Sequence, residues 1–310
     1  MLKPQTSNRF FTLLSAVLLI SLFICTNILL WADVDRQSFQ IKKVYGVTIH
    51  YTYTHESFFP HDPSARGSQS WLTNLRSTLP LVEKFLSKYP QEVIHRNLTD
   101  IFLLGTLEFS GKRYGGTYID SAIYISTGGF FTYSGSSLIG VMHAEFSSIL
   151  LHNYKFPSEE WEAVNKPTWR YLGSGFEMLG RDEVYNQTDE LFDNGFLEGY
   201  SQASLEEDFN IFAAWVFTKP HRLRELTSKH ERLRKKYYLV MKFYKSIHPE
   251  IDIPSPDVEN TRIRAPYTPV VTSTFSKKTD LASVSIGLTS RKLWGIEDWP
   301  CAAEAVKLTS

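Results

Sequence analysis

The sequence predicts an α+β fold: a small mixed or antiparallel sheet, then a helical lobe, with a cleft between them. Segments rich in β-branched and aromatic residues fall between positions 44 and 126, where strands are expected. After position 138 the apolar residues instead recur at helical spacing over long stretches. The chain is also large and apolar enough to build a core. Its 310 residues are 43% hydrophobic and 14% aromatic, which excludes a largely disordered chain.

The elements follow in order. Residues 1–9 read as a cytoplasmic N-terminus. Residues 10–32 carry no charge; Lys3 and Arg9 precede them, and Asp33 and Asp35 follow. At about 1.5 Å per residue this run can cross a hydrocarbon core of roughly 30 Å. The flanking charges place the bulk of the chain on the extracytoplasmic side, in the periplasm or at the cell surface. Three forms of this segment are open: a membrane anchor, a cleaved signal, or a lipoprotein signal in which Cys25 of Leu22-Phe23-Ile24-Cys25 carries lipid. Residues 33–44 read as a linker to a domain spanning 45–250. Val44–Tyr53 reads as a strand, His61–Ser68 as a loop, and Trp71–Tyr89 as a helix with Pro80 as a kink or boundary. Asp100–Phe109 and Thr117–Ser126 read as strands. A helix follows over Leu138–Tyr154, capped by Ser134 or Ser136. Residues 168–200 show no period. Ser204 starts a further helix that Pro220 ends, and His221 to Ile247 reads as one or two more, with a solvated charged face over 221–236. Residues 251–310, rich in Ser, Thr and Pro, read as an irregular, disordered tail. The acidic and basic residues balance at 33 each, so nothing supports a nucleic-acid partner. Two cysteines, one inside the apolar run, exclude a disulfide framework or a Cys-rich zinc site.

The chemistry-bearing segments are Met142-His143-Ala144-Glu145-Phe146-Ser147-Ser148 on the first long helix, and Gly195-Phe196-Leu197-Glu198-Gly199-Tyr200 followed by Ser204-Leu205-Glu206-Glu207-Asp208-Phe209. Each residue has a structural reading. Glu145 fits a solvated or hydrogen-bonded helix position. Ser204 with Glu207 fits a capping box. Tyr200 fits a packing role, and His143 and His152 fit satisfied helix histidines. Asn97-Leu98-Thr99 and Asn186-Gln187-Thr188 fit the glycosylation sequon, relevant only in a eukaryotic secretory pathway. By spacing alone there is no metal motif. His143 and His152 are about 900° of helix rotation apart, on nearly opposite faces, and His152 lies about 10.5 Å along the axis from Glu145.

Together the two segments resemble the zinc-binding metallopeptidases of bacterial lipoprotein type, also described as substrate-import-associated zinc metallohydrolases. They are also similar to the wider gluzincin group. The likeness spans roughly residues 45–250 and implies a zincin-like fold. It implies zinc as cofactor, Glu145 as general base, Tyr200 as oxyanion stabiliser, and Glu207 as a zinc ligand seven residues beyond that tyrosine. By spacing, His152 with Ser148 at i and i+4 leaves one real ligand, alongside Glu207. The family's His-Glu-x-x-His has lost both histidines here, to Ala144 and Ser148. Ala144 cannot ligate, and Ser148 is a poor zinc ligand. Three expectations follow. The first is a peptide- or protein-binding domain that has lost or weakened its zinc. The others are a zinc peptidase with altered ligands, and an envelope structural or transport-accessory protein in which Glu145, Tyr200 and Glu207 do not meet. An extended peptide is expected to pair with an edge strand drawn from Tyr118–Ser126.

Overall fold

The computed structural model describes residues 6–128, 135–179, 181, 183–184 and 186–253. Helix α1 (Thr6–Tyr45) contains the charge-free run, and its side chains from Val17 to Leu29 are largely exposed. The stretch from Ser15 to Tyr45 is long and apolar enough, by length and composition, to cross a membrane. The helix does not stop at Asp33. The segment expected as a linker continues it to Tyr45, where Gly46, at φ +74°, turns the chain. Val34 and Ile41, two turns apart on one face, are buried in the domain core. Asp33 pairs with Arg36 and, at 3.5 Å, with Arg76, and Tyr51 donates a hydrogen bond to Asp35. This apolar stripe is short, and charged residues dilute it enough to hide it as a linker in the sequence.

The upper part is built from β1 (Thr48–His50), α2 (His55–Phe58), β2 (Ala65–Gly67), α3 (Leu72–Leu86), α4 (Gln91–Asn97), β3 (Asp100–Leu104), β4 (Leu107–Phe109), β5 (Lys112–Tyr114), β6 (Gly116–Ile119) and β7 (Ala122–Ser126). Four strands form a mixed sheet in the order β1-β3-β7-β6, parallel except for β6, which runs antiparallel at one edge. A second, antiparallel sheet has the order β2-β4-β5. Two long strands expected from sequence are each divided. Thr117–Ser126 folds back on itself at Asp120 (φ +53°), so Ala122–Ser126 is an interior strand and the edge belongs to Gly116–Ile119. Asp100–Phe109 breaks at Gly105, where the Gln69 carbonyl would lie 2.6 Å from any Cβ. Within the expected loop His61–Ser68 lies the short β2. One face of the mixed sheet packs on α3 and α5. The other carries an aromatic stack of Phe102 on Tyr124 (centroids 4.4 Å apart), joined by Phe58 and Phe59.

The lower lobe comprises α5 (Gly135–Asn153), α6 (Ser158–Val164), α7 (Gly175–Met178), α8 (Asp189–Asn194), a 3-10 turn at Gly199–Gln202, α9 (Leu205–Thr218), α10 (Pro220–Lys229) and α11 (Glu231–Ile247). Ser136 lies inside α5 rather than capping it, and Ser134 lies outside the described residues, as does the tail from 254. Ile251 and Ile253, read as the start of that tail, are buried. Helices α5 and α9 lie along one another through Phe146, Ile149 and Leu150 on one side and Phe209, Ile211 and Phe212 on the other. Residues 221–236 are not wholly solvated: Lys236 is fully buried, 2.6 Å from Asp208 on α9. Asp208 also accepts from Trp161 Nε1 (3.0 Å) and the Tyr171 hydroxyl (2.9 Å), and the Lys236 ammonium sits over the Phe196 ring at 4.2 Å. Burial pushes the carboxyl up and the amine down, and each charge partly restores the other. The mixed sheet above this helical lobe makes the α+β class plain.

Candidate functional site

Three elements converge beneath β6. Helix α5 packs under β6 and β7 and presents Glu145 upward. The approach is close: a Cβ on Gly116 would lie 2.5 Å from Val141 Cγ1 and 3.0 Å from Glu145 Oε1. Only glycine allows the strand this near the carboxylate. The 3-10 turn delivers Tyr200, and the first turn of α9 delivers Glu206 and Glu207. The Tyr200 hydroxyl donates to Glu207 Oε1 at 2.9 Å. Gly175 of α7 lies against that pair, since a Cβ there would come 2.2 Å from the hydroxyl and 2.3 Å from the carboxylate.

The two readings of Glu207 use different parts of the residue. Ser204 caps α9 by accepting from the Glu207 backbone N–H at 3.2 Å. The Glu207 side chain does not complete a capping box; it turns to Tyr200 instead. Glu145 and Glu207 are both half-buried. Burial raises Glu145 well above the usual carboxylate range, and Glu207 and Glu206 raise it further. Burial pushes Glu207 up to about 7. Glu206 adds to that rise, while hydrogen bonds from Tyr200 and Asn210 oppose it. Two tyrosines of the upper sheets feel the same charges. Tyr118 on β6 is pushed up to about 12 by burial and then by Glu206, Glu145 and Glu207, and Tyr114 is raised by burial and by Glu207. Among the described residues the charges acting on Glu145 and Glu207 are carboxylates.

The histidines lie elsewhere. His143 is fully buried, bonded through Nδ1 to the Tyr89 hydroxyl at 2.8 Å and stacked on Phe217 at 4.2 Å. Burial holds its pKa well below the usual histidine value. His152, considered as a metal ligand, is exposed near the C-terminal end of α5, two turns from Glu145, and does not reach the cluster. At the two positions flanking Glu145, Ala144 is buried and Ser148 accepts a hydrogen bond from Asn210 Nδ2 at 2.9 Å. Asn210 in turn accepts from Ser147 at 2.5 Å. Among the described residues no group of three or more His, Cys, Asp or Glu side chains is arranged to hold a metal ion. The donors are the carboxylates of Glu145, Glu206 and Glu207, which are not arranged around one ion, and a phenol whose hydroxyl is already bonded to Glu207; with no imidazole or thiolate among them the set does not fit a tetrahedral zinc shell.

Sequence reasoning missed Glu206, Tyr114, Tyr118 and Gly116 as members of the cluster. Glu206 sits beside Glu207 in an acidic first turn, a signal open to reading. The other three enter only because β5 and β6 cross above α5 and α9.

No family model matches this sequence, and no curated protein matches it. Among solved structures the chain is similar to a protein from Bacteroides caccae described as a "putative zinc-binding metallo-peptidase". The two share 15% identity at a TM-score of 0.46, over 69% of this chain and 85% of the other.

Proposed function

We propose that this chain is a membrane-anchored, extracytoplasmic domain of metallopeptidase type that binds an extended peptide or protein segment in its cleft without hydrolysing it. One observation carries the reading. Tyr200 bonds to Glu207, Glu207 acts on Glu145, and Glu145 lies against the edge strand β6, while Ala144 and Ser148 fill the positions where the resemblance places metal-binding histidines. The carboxylates and the phenol that the resemblance implies are present, and among the described residues no donor set for an ion accompanies them. In a working enzyme of this type the ion would activate water and polarise the scissile carbonyl. Here the Tyr200 hydroxyl is held by Glu207, and burial, with Glu207 and Glu206, raises the Glu145 carboxyl well above its ordinary range. What remains is a polar floor under a strand edge, suited to holding a peptide backbone. The apolar run of α1, flanked by basic residues before and acidic residues after, supports the anchored, extracytoplasmic placement.

The test is zinc content and hydrolysis together, on the full chain in detergent micelles. After dialysis against zinc, the parent is expected to retain well under one equivalent and to leave a quenched-fluorescence peptide library uncut. Ala144→His with Ser148→His is expected to retain close to one equivalent, because two imidazoles return to one helix face beside Glu145 and Glu207. A parent holding one tightly bound zinc and cleaving peptides would replace this reading with that of an active peptidase. A double variant no better than the parent would show that the helix register is wrong.

A further inference from the structure

The outer edge of β6 offers a specific row of backbone groups. In the β6–β7 hairpin Ile119 faces Ala122, Thr117 faces Tyr124, and the Ser126 N–H donates to the Gly115 carbonyl at 2.8 Å. Hydrogen-bonded pairs alternate along an antiparallel ladder. Positions 115, 117 and 119 are therefore the bonded ones, and the N–H and C=O of Gly116 and Tyr118 point outward. Among the described residues no strand pairs with that edge. Side chains at 116 and 118 share one face of the strand. That face looks down on the cleft: Gly116 abuts Glu145, and Tyr118 feels Glu206, Glu145 and Glu207. A strand added at this edge would place every second side chain directly over these acidic groups.

We infer that the occupant of the β6 edge is an extended segment that lowers a lysine or arginine side chain onto Glu145, Glu206 and Glu207, its cation standing in the carboxylate cluster. The inference rests on the peptide-binding reading above and adds the chemistry of what is bound. Charge complementarity selects the occupant. Like charges lie together here: Glu206 and Glu207 act on Glu145, Glu206 acts on Glu207, and among the described residues no cation is among the groups acting on either. An acidic or neutral side chain in the same place would add repulsion or leave desolvated carboxylates unpaired. Three phenols, Tyr114, Tyr118 and Tyr200, border the carboxylates, and aromatic faces suit a guanidinium.

The experiment is fluorescence anisotropy with the full chain in micelles and EDTA present. The probe is a short fluorescein-labelled Thr/Val peptide with one central arginine; its twin carries citrulline, the neutral isostere. The arginine peptide is expected to bind about tenfold or more tightly than the citrulline peptide. Glu145→Gln and Glu207→Gln are each expected to erase most of that difference by weakening the arginine peptide far more than the citrulline peptide. N-methylation of the backbone amides beside the arginine is expected to weaken both peptides, as strand pairing requires. Equal affinity for the two peptides would overturn the inference and leave the peptide-binding reading intact. No binding of either peptide at about 1 mM would overturn both.

Discussion

Glu207→Gln should stabilise the protein, and only above mildly acidic pH. In the folded state the Glu207 carboxyl is raised from the ordinary 4.5 to about 7, so the fold prefers its protonated form. A group raised in this way keeps its full contribution below the unfolded value. Stability is lost as pH climbs from about 4.5 through about 7, and changes little beyond. At about 1.4 kcal/mol per unit the displacement is worth at most ~3.5 kcal/mol. Solvent reaches the half-buried carboxylate, so an effect of about 1–3 kcal/mol is expected. Glutamine keeps an oxygen to accept from Tyr200 and cannot ionise, so it removes the cost without removing the bond. Urea unfolding of parent and variant at pH 5 and pH 8 measures this. The two should nearly coincide at pH 5, and the variant should gain stability at pH 8. Comparing the two cancels every other titrating group except those coupled to Glu207, of which Glu145 shifts in the same direction. A variant less stable than the parent at pH 8, or a difference that does not change with pH, would refute the crowding of carboxylates from which the prediction is drawn.

Two further outcomes follow from the packing. Lys236→Met leaves Asp208 buried without its counter-charge and should cost about 3–5 kcal/mol, while adding Asp208→Asn should recover much of that loss, read as shifts in the urea midpoint. Gly175→Val drives a side chain into the Tyr200 hydroxyl and the Glu207 carboxylate. It should cost about 1–3 kcal/mol, read as a shift in the urea midpoint.

What the sequence revealed and what it hid divide along local and distant causes. Ser204 is the cap of α9 because its side chain needs only the backbone three residues on, and α3 keeps its apolar face through Pro80. Such features can be read from a few neighbouring residues. The hairpin at Asp120 was hidden because Asp120-Ser121 is not a favoured turn pair, and the residues on either side have strand character throughout. Helix α1 beyond Asp33 was hidden because Val34 and Ile41 have meaning only against the domain they enter. Glu145, Tyr200 and Glu207 were singled out through the resemblance of two segments, since spacing alone showed no metal motif. The roles of Gly116 and Tyr118 depend on β6 crossing over two helices from later in the chain, and no short window of residues encodes that crossing. His152 was weighed as a ligand on residue type, and its position at the far end of α5 withdraws it.

The unbroken course of α1 bears on how a ligand would arrive. At about 1.5 Å per residue its 40 residues form a rod of about 60 Å, with roughly half of it apolar and the final turns locked into the globular body. There is no swivel between rod and body, so tilting or rotating the one carries the other. On the proposed membrane-anchored reading, the β6 edge would therefore keep a set bearing and height relative to the lipid surface, and a ligand tethered to the same membrane would meet it at a defined reach.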